Sequence, residues 1–111
     1  PHAGDWRAAD VVRRAAELNQ PPFALIETFH DGPLPQRASH ADDGGGAVVA
    51  TVLKRGEDGG LVVRAYESAG RAAHATLRAL GREWEADFGP NEIKTFHLGD
   101  DGVREVNLLE W

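Results

Sequence analysis

Residues 93–98 and 103–111 are two strand-like runs joined through a Gly-Asp-Asp-Gly turn, and they constrain the fold more than any other feature. Ile93, Thr95, Phe96 and Leu98 in the first arm, and Val103, Val106, Leu108 and Leu109 in the second, suit a pleated surface. Asp101-Gly102 between the arms predicts a type I′ turn, which requires positive φ at both central positions. The rest of the chain reads as organised around this terminal hairpin.

Going back to the start, Asp5 is placed to cap a helix over residues 6–19 by accepting an otherwise unpaired first-turn N–H. Ala8, Val11, Val12, Ala15 and Leu18 fall on one stripe of that helix, and Asp10 stands four residues before Arg14 in the favourable orientation. Pro21-Pro22 ends it. Residues 23–29 then alternate as a strand, and residues 30–46, rich in Pro, Gly and Asp, read as a long surface loop. Residues 47–54 and 61–67 predict two strands with apolar residues on both faces over part of their length, central to the sandwich. Residues 72–80 put Ala73, Ala75, Leu77 and Ala79 on one side and His74, Thr76 and Arg78 on the other. Residues 83–88 put Trp84, Ala86 and Phe88 inside and Glu83, Glu85 and Asp87 outside. Strands at this spacing, with no helical crossovers between them, predict a mainly β fold: an antiparallel β-sandwich with one short N-terminal helix, a single domain over residues 1–111.

The composition narrows the function classes. Eighteen acidic against 12 basic side chains give a net charge of −6, which disfavours a nucleic-acid partner because phosphate binding needs clustered Lys and Arg. No apolar run approaches the roughly 20 residues that span a bilayer, so no membrane partner is expected. The chain has no cysteine, which suits a reducing cytoplasm and removes disulfides and Cys-ligated zinc. It begins at Pro1 without a single methionine and therefore reads as a piece of a longer protein.

No self-contained catalytic constellation emerges. His2, Asp5, His30, Asp31, His40, Asp42 and Asp43 are the densest potential metal ligands, but none has helical zinc-site spacing, and no metal site is expected. Asp42-Asp43 and Asp100-Asp101 precede glycines, and turn chemistry accounts for both. Neither Ser39 nor Ser68 lies in a nucleophile elbow, and Gly44-Gly45-Gly46 leads into a strand instead of a helix N-terminus. Trp6, Tyr66, Trp84 and Trp111 remain as possible platforms for a sugar ring, or as cover for an interface.

Three stretches carry a family resemblance: PNEIKTF at 90–96 with EVNLLE at 105–110, AVVATVLKRGEDGGLVVRAYE at 47–67, and PHAGDW at 1–6 with ELNQP at 17–21. Together they resemble the C-terminal β domain of the α-mannosidases of glycoside hydrolase family 38. The resemblance implies a parent enzyme that removes terminal α-mannosides with retention, using an aspartate nucleophile and a divalent metal, usually zinc, in a separate catalytic domain. Neither the nucleophile nor the metal ligands match residues of this chain, so no catalytic residue and no cofactor is assigned to it. Its implied partners are that catalytic domain, α-mannosides through the parent, and a second copy in a homo-oligomer. His2, Asp5, Trp6 and Arg7 are expected near the substrate in the parent. An autonomous carbohydrate-binding β-sandwich module is the alternative.

Overall fold

A computed structural model describes residues 2–28 and 30–111. They form a mainly β fold with two antiparallel sheets and one short helix near the N-terminus. The chain divides into two compact units, Pro1–Ala38 and Ser39–Trp111.

The first unit holds the helix, α1 (Val11–Asn19). It starts five residues later than the spacing predicts. Asp5 does accept from the amides of Arg7 (3.0 Å) and Ala8 (2.8 Å), but it caps a run of turns and not the helix itself. The interruption is Asp10, whose left-handed backbone (φ 52°, ψ 40°) cannot continue a right-handed helix. Asp10 also pairs with Arg13 at 3.6 Å, while Arg14 Nε donates to the carbonyl of Ala9, so the expected Asp10–Arg14 pair is replaced. At the other end the amide of Gln20 closes the last turn on Ala16 before the two prolines.

The strand expected over 23–29 is not formed in its described part, residues 23–28, and Phe29 lies outside the described residues. Alternation supplies two faces but no partner, and a strand exists only through pairing.

The second unit contains all seven strands found among the described residues: β1 (Ala41–Asp42), β2 (Val48–Arg55), β3 (Leu61–Glu67), β4 (Ala73–Ala79), β5 (Arg82–Phe88), β6 (Ile93–Gly99) and β7 (Gly102–Val106). One sheet has the order β1-β4-β5 and the other β2-β3-β6-β7. β1 falls within the stretch read as loop. Ala41 and Asp42 pair with Ala79 and Arg78 at the open edge of β4, a position that two residues of any alternation can fill.

β2 is an edge strand, not a central one. A bulge at Thr51 shifts its register on β3, so Val48 and Ala50 share the core-facing side before it and Leu53 opposes core-facing Val63 after it. That change of phase explains apolar residues on both faces without burial of both, and Leu53 remains 43% exposed.

Between the sheets lies one apolar cluster. Val63, Ala65, Phe96 and Leu98 come from one sheet, and Ala75, Leu77, Ala79 and Phe88 from the other. Trp84 packs on Phe96 with ring centroids 5.4 Å apart, and Phe88 meets Phe96 edge-on at 6.3 Å. Each such large side chain contributes about 1.5 to 3 kcal/mol by leaving water.

The two ends of this core are closed differently. At one, the buried Glu67 carboxylate accepts from four backbone amides, those of Ala69, Gly70, Arg71 and Asn91. Those residues belong to the β3–β4 and β5–β6 connections, two of the three by which the chain passes between sheets. At the other, Arg82 Nη1 reaches across from β5 to donate to the carbonyls of Gly99 and Gly102 in the β6–β7 hairpin. That hairpin turns on Asp100-Asp101, since Gly99 pairs with Gly102, and neither aspartate has positive φ. The expected type I′ turn is therefore absent there. A two-residue hairpin turn with positive φ at both central residues occurs instead at Leu80-Gly81 (φ 48° and 82°), between β4 and β5.

β7 stops at Val106, short of the expected arm to 111. The side-chain oxygen of Asn107 accepts from the amides of Leu109 (2.9 Å) and Trp111 (3.2 Å), which bends the chain away from pairing.

Candidate functional site

Alternation along β6 sends Phe96 and Leu98 into the shared core and His97 to the opposite face, where it is nonetheless buried at 5% exposure. Its Nε2 donates to Asp58, 3.0 Å from Oδ1 and 2.8 Å from Oδ2. Asp58 belongs to the β2–β3 turn and its Oδ1 also accepts from the amide of Gly60 at 3.0 Å. The His97 hydrogen bond, seconded by that amide, holds the Asp58 carboxyl below its ordinary range against the opposing effect of desolvation.

Two clefts flank this pair. The larger, about 670 Å³, is polar and lined by Arg55, Arg82, Arg104, Asp58, Asp100 and Asp101. Its opposite charges balance, so it presents donors and acceptors without a net field for an anion or a cation. The smaller, about 410 Å³, shares His97, Asp58 and Arg104 but adds Val62, Leu109 and Trp111. Among the described residues, neither lining contains Ser, Thr or Cys.

His97 Nδ1 is buried without a hydrogen-bond partner among the described residues. Because a carboxylate only accepts, Nε2 must carry the proton wherever the ring is neutral. We expect long-range 15N–1H spectra of the neutral ring to show a protonated Nε2 and a bare Nδ1. The reverse tautomer would contradict this reading of the Asp58 contact.

The wall of the smaller cleft is the segment after β7. Glu110 pairs with Lys54 at 2.6 Å and Arg64 at 3.6 Å, and Arg64 also donates to the carbonyl of Leu108 and to Thr95 Oγ1. These contacts fold the segment back over the face of the sheet that carries Val62 and His97.

The residues expected near a substrate, His2, Asp5, Trp6 and Arg7, are all exposed and lie in the first unit. Three of them are brought together locally. The Arg7 guanidinium carbon stands 4.2 Å over the Trp6 ring, and Arg7 Nη1 is 4.0 Å from Asp5. The Asp5 carboxyl is held below its ordinary range chiefly by the Ala8 amide, which outweighs desolvation with help from the Arg7 amide and the charges of Arg7 and His2.

Among the described residues, no three His, Cys, Asp or Glu side chains converge as a metal site. Asp42 and Asp43 instead accept from the amides of Gly44 and Gly45 within their turn. His30 lies 3.5 Å from Glu27. On the exposed face of β4 and β5, His74 bonds Asp87 at 2.7 Å, and that hydrogen bond first, with the nearby charges, raises the imidazole pKa over the opposing desolvation. Arg78 pairs with Glu83 beside it. No helix among the described residues is long and apolar enough to cross a membrane.

Sequence reasoning passed over Glu67, Asp58 and His97. The signal for Glu67 was a charge on the apolar phase of 61, 63 and 65, immediately before a Ser-Ala-Gly turn. For His97 there was little, because Phe96 and Leu98 account for its strand and nothing local says that the other face is covered.

None of the family models, characterised proteins or solved structures compared with the chain matches it.

Proposed function

We propose that this chain is the non-catalytic C-terminal β-sandwich domain of a family 38 α-mannosidase, packing against the catalytic part and completing the enzyme. The observation that carries the reading is where the resembling stretches lie. Residues 47–67 supply β2 and β3, and the terminal stretch supplies β6 and β7, which are neighbours in one sheet. Side chains join these two stretches as well, Lys54 and Arg64 to Glu110. The stretches at 47–67 and 90–110 are thus neighbours in one sheet, whereas 1–6 and 17–21 belong to the first unit.

A second support comes from the first unit, where Leu18, Phe23, Leu25, Ile26 and Leu34 are each at least 80% exposed. Apolar side chains in that number favour burial against another surface, here the catalytic part or a second copy. The Asp5–Trp6–Arg7 cluster supplies donors, an acceptor and an aromatic face for a position beside the substrate. The parent's divalent metal, usually zinc, is held by the catalytic part, and the cysteine-free composition suits a cytoplasmic enzyme.

Hydrolysis of an aryl α-mannoside tests this in three proteins: the full-length parent, the parent truncated before residue 1, and the chain alone. Activity in the full-length protein only, with the truncated form still folded, is the expected result. Activity in the chain alone, or a truncated enzyme as active as the parent, overturns the reading.

A further inference from the structure

The smaller cleft beside His97 joins an apolar wall to a polar one. Trp111, Leu109 and the buried Val62 form the first; Arg104, Glu57 and Asp58 the second. Trp111 is 79% exposed, yet its backbone is held on both sides: its amide donates to Asn107 Oδ1 at 3.2 Å and its carbonyl accepts from the Asn107 amide at 3.4 Å. The preceding residue, Glu110, is anchored by Lys54 and Arg64. A large aromatic on a clamped segment loses little freedom when a ligand stacks on it.

The side chains of Glu57 and Arg104 have no hydrogen-bond or ion-pair partner among the described residues, so one acceptor and one fan of donors stand ready at the cleft. With Asp58 committed to His97, the lining offers both kinds of hydrogen-bonding group beside an indole face. A neutral pyranose ring has the same division: an apolar face of C–H groups and an equatorial rim of hydroxyls that both donate and accept. A simple anion meets carboxylates here, a simple cation meets Arg104, and a purely apolar ligand leaves the charged wall desolvated.

We infer that this cleft binds a single neutral pyranose unit, stacked on Trp111 and hydrogen-bonded through Glu57 and Arg104. The ligand class comes from the cleft's own chemistry; the choice of mannose as first probe rests on the α-mannosidase reading.

The test is a titration of the 15N-labelled chain with methyl α-D-mannopyranoside, methyl α-D-glucopyranoside and methyl α-D-galactopyranoside. Saturable shifts of the Trp111 indole N–H and the Arg104 side chain with at least one glycoside are expected. Trp111→Ala and Arg104→Gln should each weaken binding about tenfold, with the amides of Ala65 and Leu77, which face the core away from the cleft, unmoved to show that the fold is intact. Trp6→Ala should bind like the original chain. No saturable shift with any of the three glycosides, or shifts centred on Trp6, overturns the proposal. Because the readout is binding by the chain alone, either result is independent of whether truncation abolishes the parent's turnover.

Discussion

Replacing Glu67 with Gln is expected to destabilise the second unit by about 3 kcal/mol at neutral pH, although the side chain changes by one atom. Oε1 accepts from Ala69 at 2.6 Å, and Oε2 accepts from Gly70 (2.8 Å), Asn91 (2.9 Å) and Arg71 (3.1 Å). A glutamine can keep its oxygen at the triply bonded position only by turning its NH2 group toward the amide of Ala69, so that two donors face each other at a site 1% exposed. It also forfeits the charge that strengthens all four bonds.

The pH dependence has a definite sign. Burial alone pushes the Glu67 carboxyl up, but the four amides, led by that of Asn91, outweigh it and hold the pKa below the ordinary 4.5. A depressed folded-state pKa contributes stability that is complete above the unfolded value and is lost as pH falls through the folded one. The gap between the original protein and Glu67→Gln should therefore be constant from neutrality down to about pH 5 and narrow below it. Denaturant midpoints measured across that range, with hydrogen exchange at Ala69, Gly70, Arg71 and Asn91, read both effects. A midpoint change equivalent to less than about 1 kcal/mol would sink the assignment of Glu67 as the tie between the β3–β4 and β5–β6 connections.

Gly60→Ala should be nearly as damaging, by about 2 to 3 kcal/mol, for a steric reason. A Cβ at Gly60 lies 2.5 Å from His97 Nε2 and 2.7 Å from Cε1. The ring can withdraw only by giving up its contact with Asp58, which holds Nε2 at 3.0 Å from Oδ1 and 2.8 Å from Oδ2. The neighbouring Gly59→Ala separates this cause from backbone strain. Gly59 has φ 88° with nothing within 4 Å of a built Cβ, so that substitution costs about 1 kcal/mol and leaves the His97 ring signals in place. The decisive comparison introduces Gly60→Ala into a His97→Ala background, where most of the penalty should vanish. If the penalty is undiminished without the ring, the clash is not its cause.

Both predictions concern residues that sequence reading passed over, and for the same reason. Glu67 sits on the apolar phase of β3, where a local reading finds a charge out of place. Its four donors come from residues two to 24 positions away, and only the crossing of two connections assembles them. His97 and Asp58 are 39 positions apart. Nothing near either one indicates the other.

Where an element depends on its own residues, the sequence was legible. β4 and β5 follow from alternation of apolar residues with polar ones, and the structure turns the faces so identified toward the core; the first arm of the terminal hairpin follows from its β-branched and aromatic residues. The helix was legible at its end, through Pro21-Pro22, but not at its start, because the left-handed Asp10 has no composition signal beyond an aspartate's tolerance for that region. Residues 23–28 alternate well and pair with nothing, whereas Ala41–Asp42 scarcely alternate and do pair.

Period-two patterning thus determined, within the sequence itself, that this is a mainly β chain and which side of most strands faces apolar surroundings. Which strand stands at an edge, where β2 bulges, which runs find a partner, and which polar groups meet at Glu67 and His97 were decided by the tertiary structure alone. The physical reason is that side-chain alternation is a property of neighbouring residues, while hydrogen-bond partners and the cover over a sheet's second face come from chain segments far away in sequence.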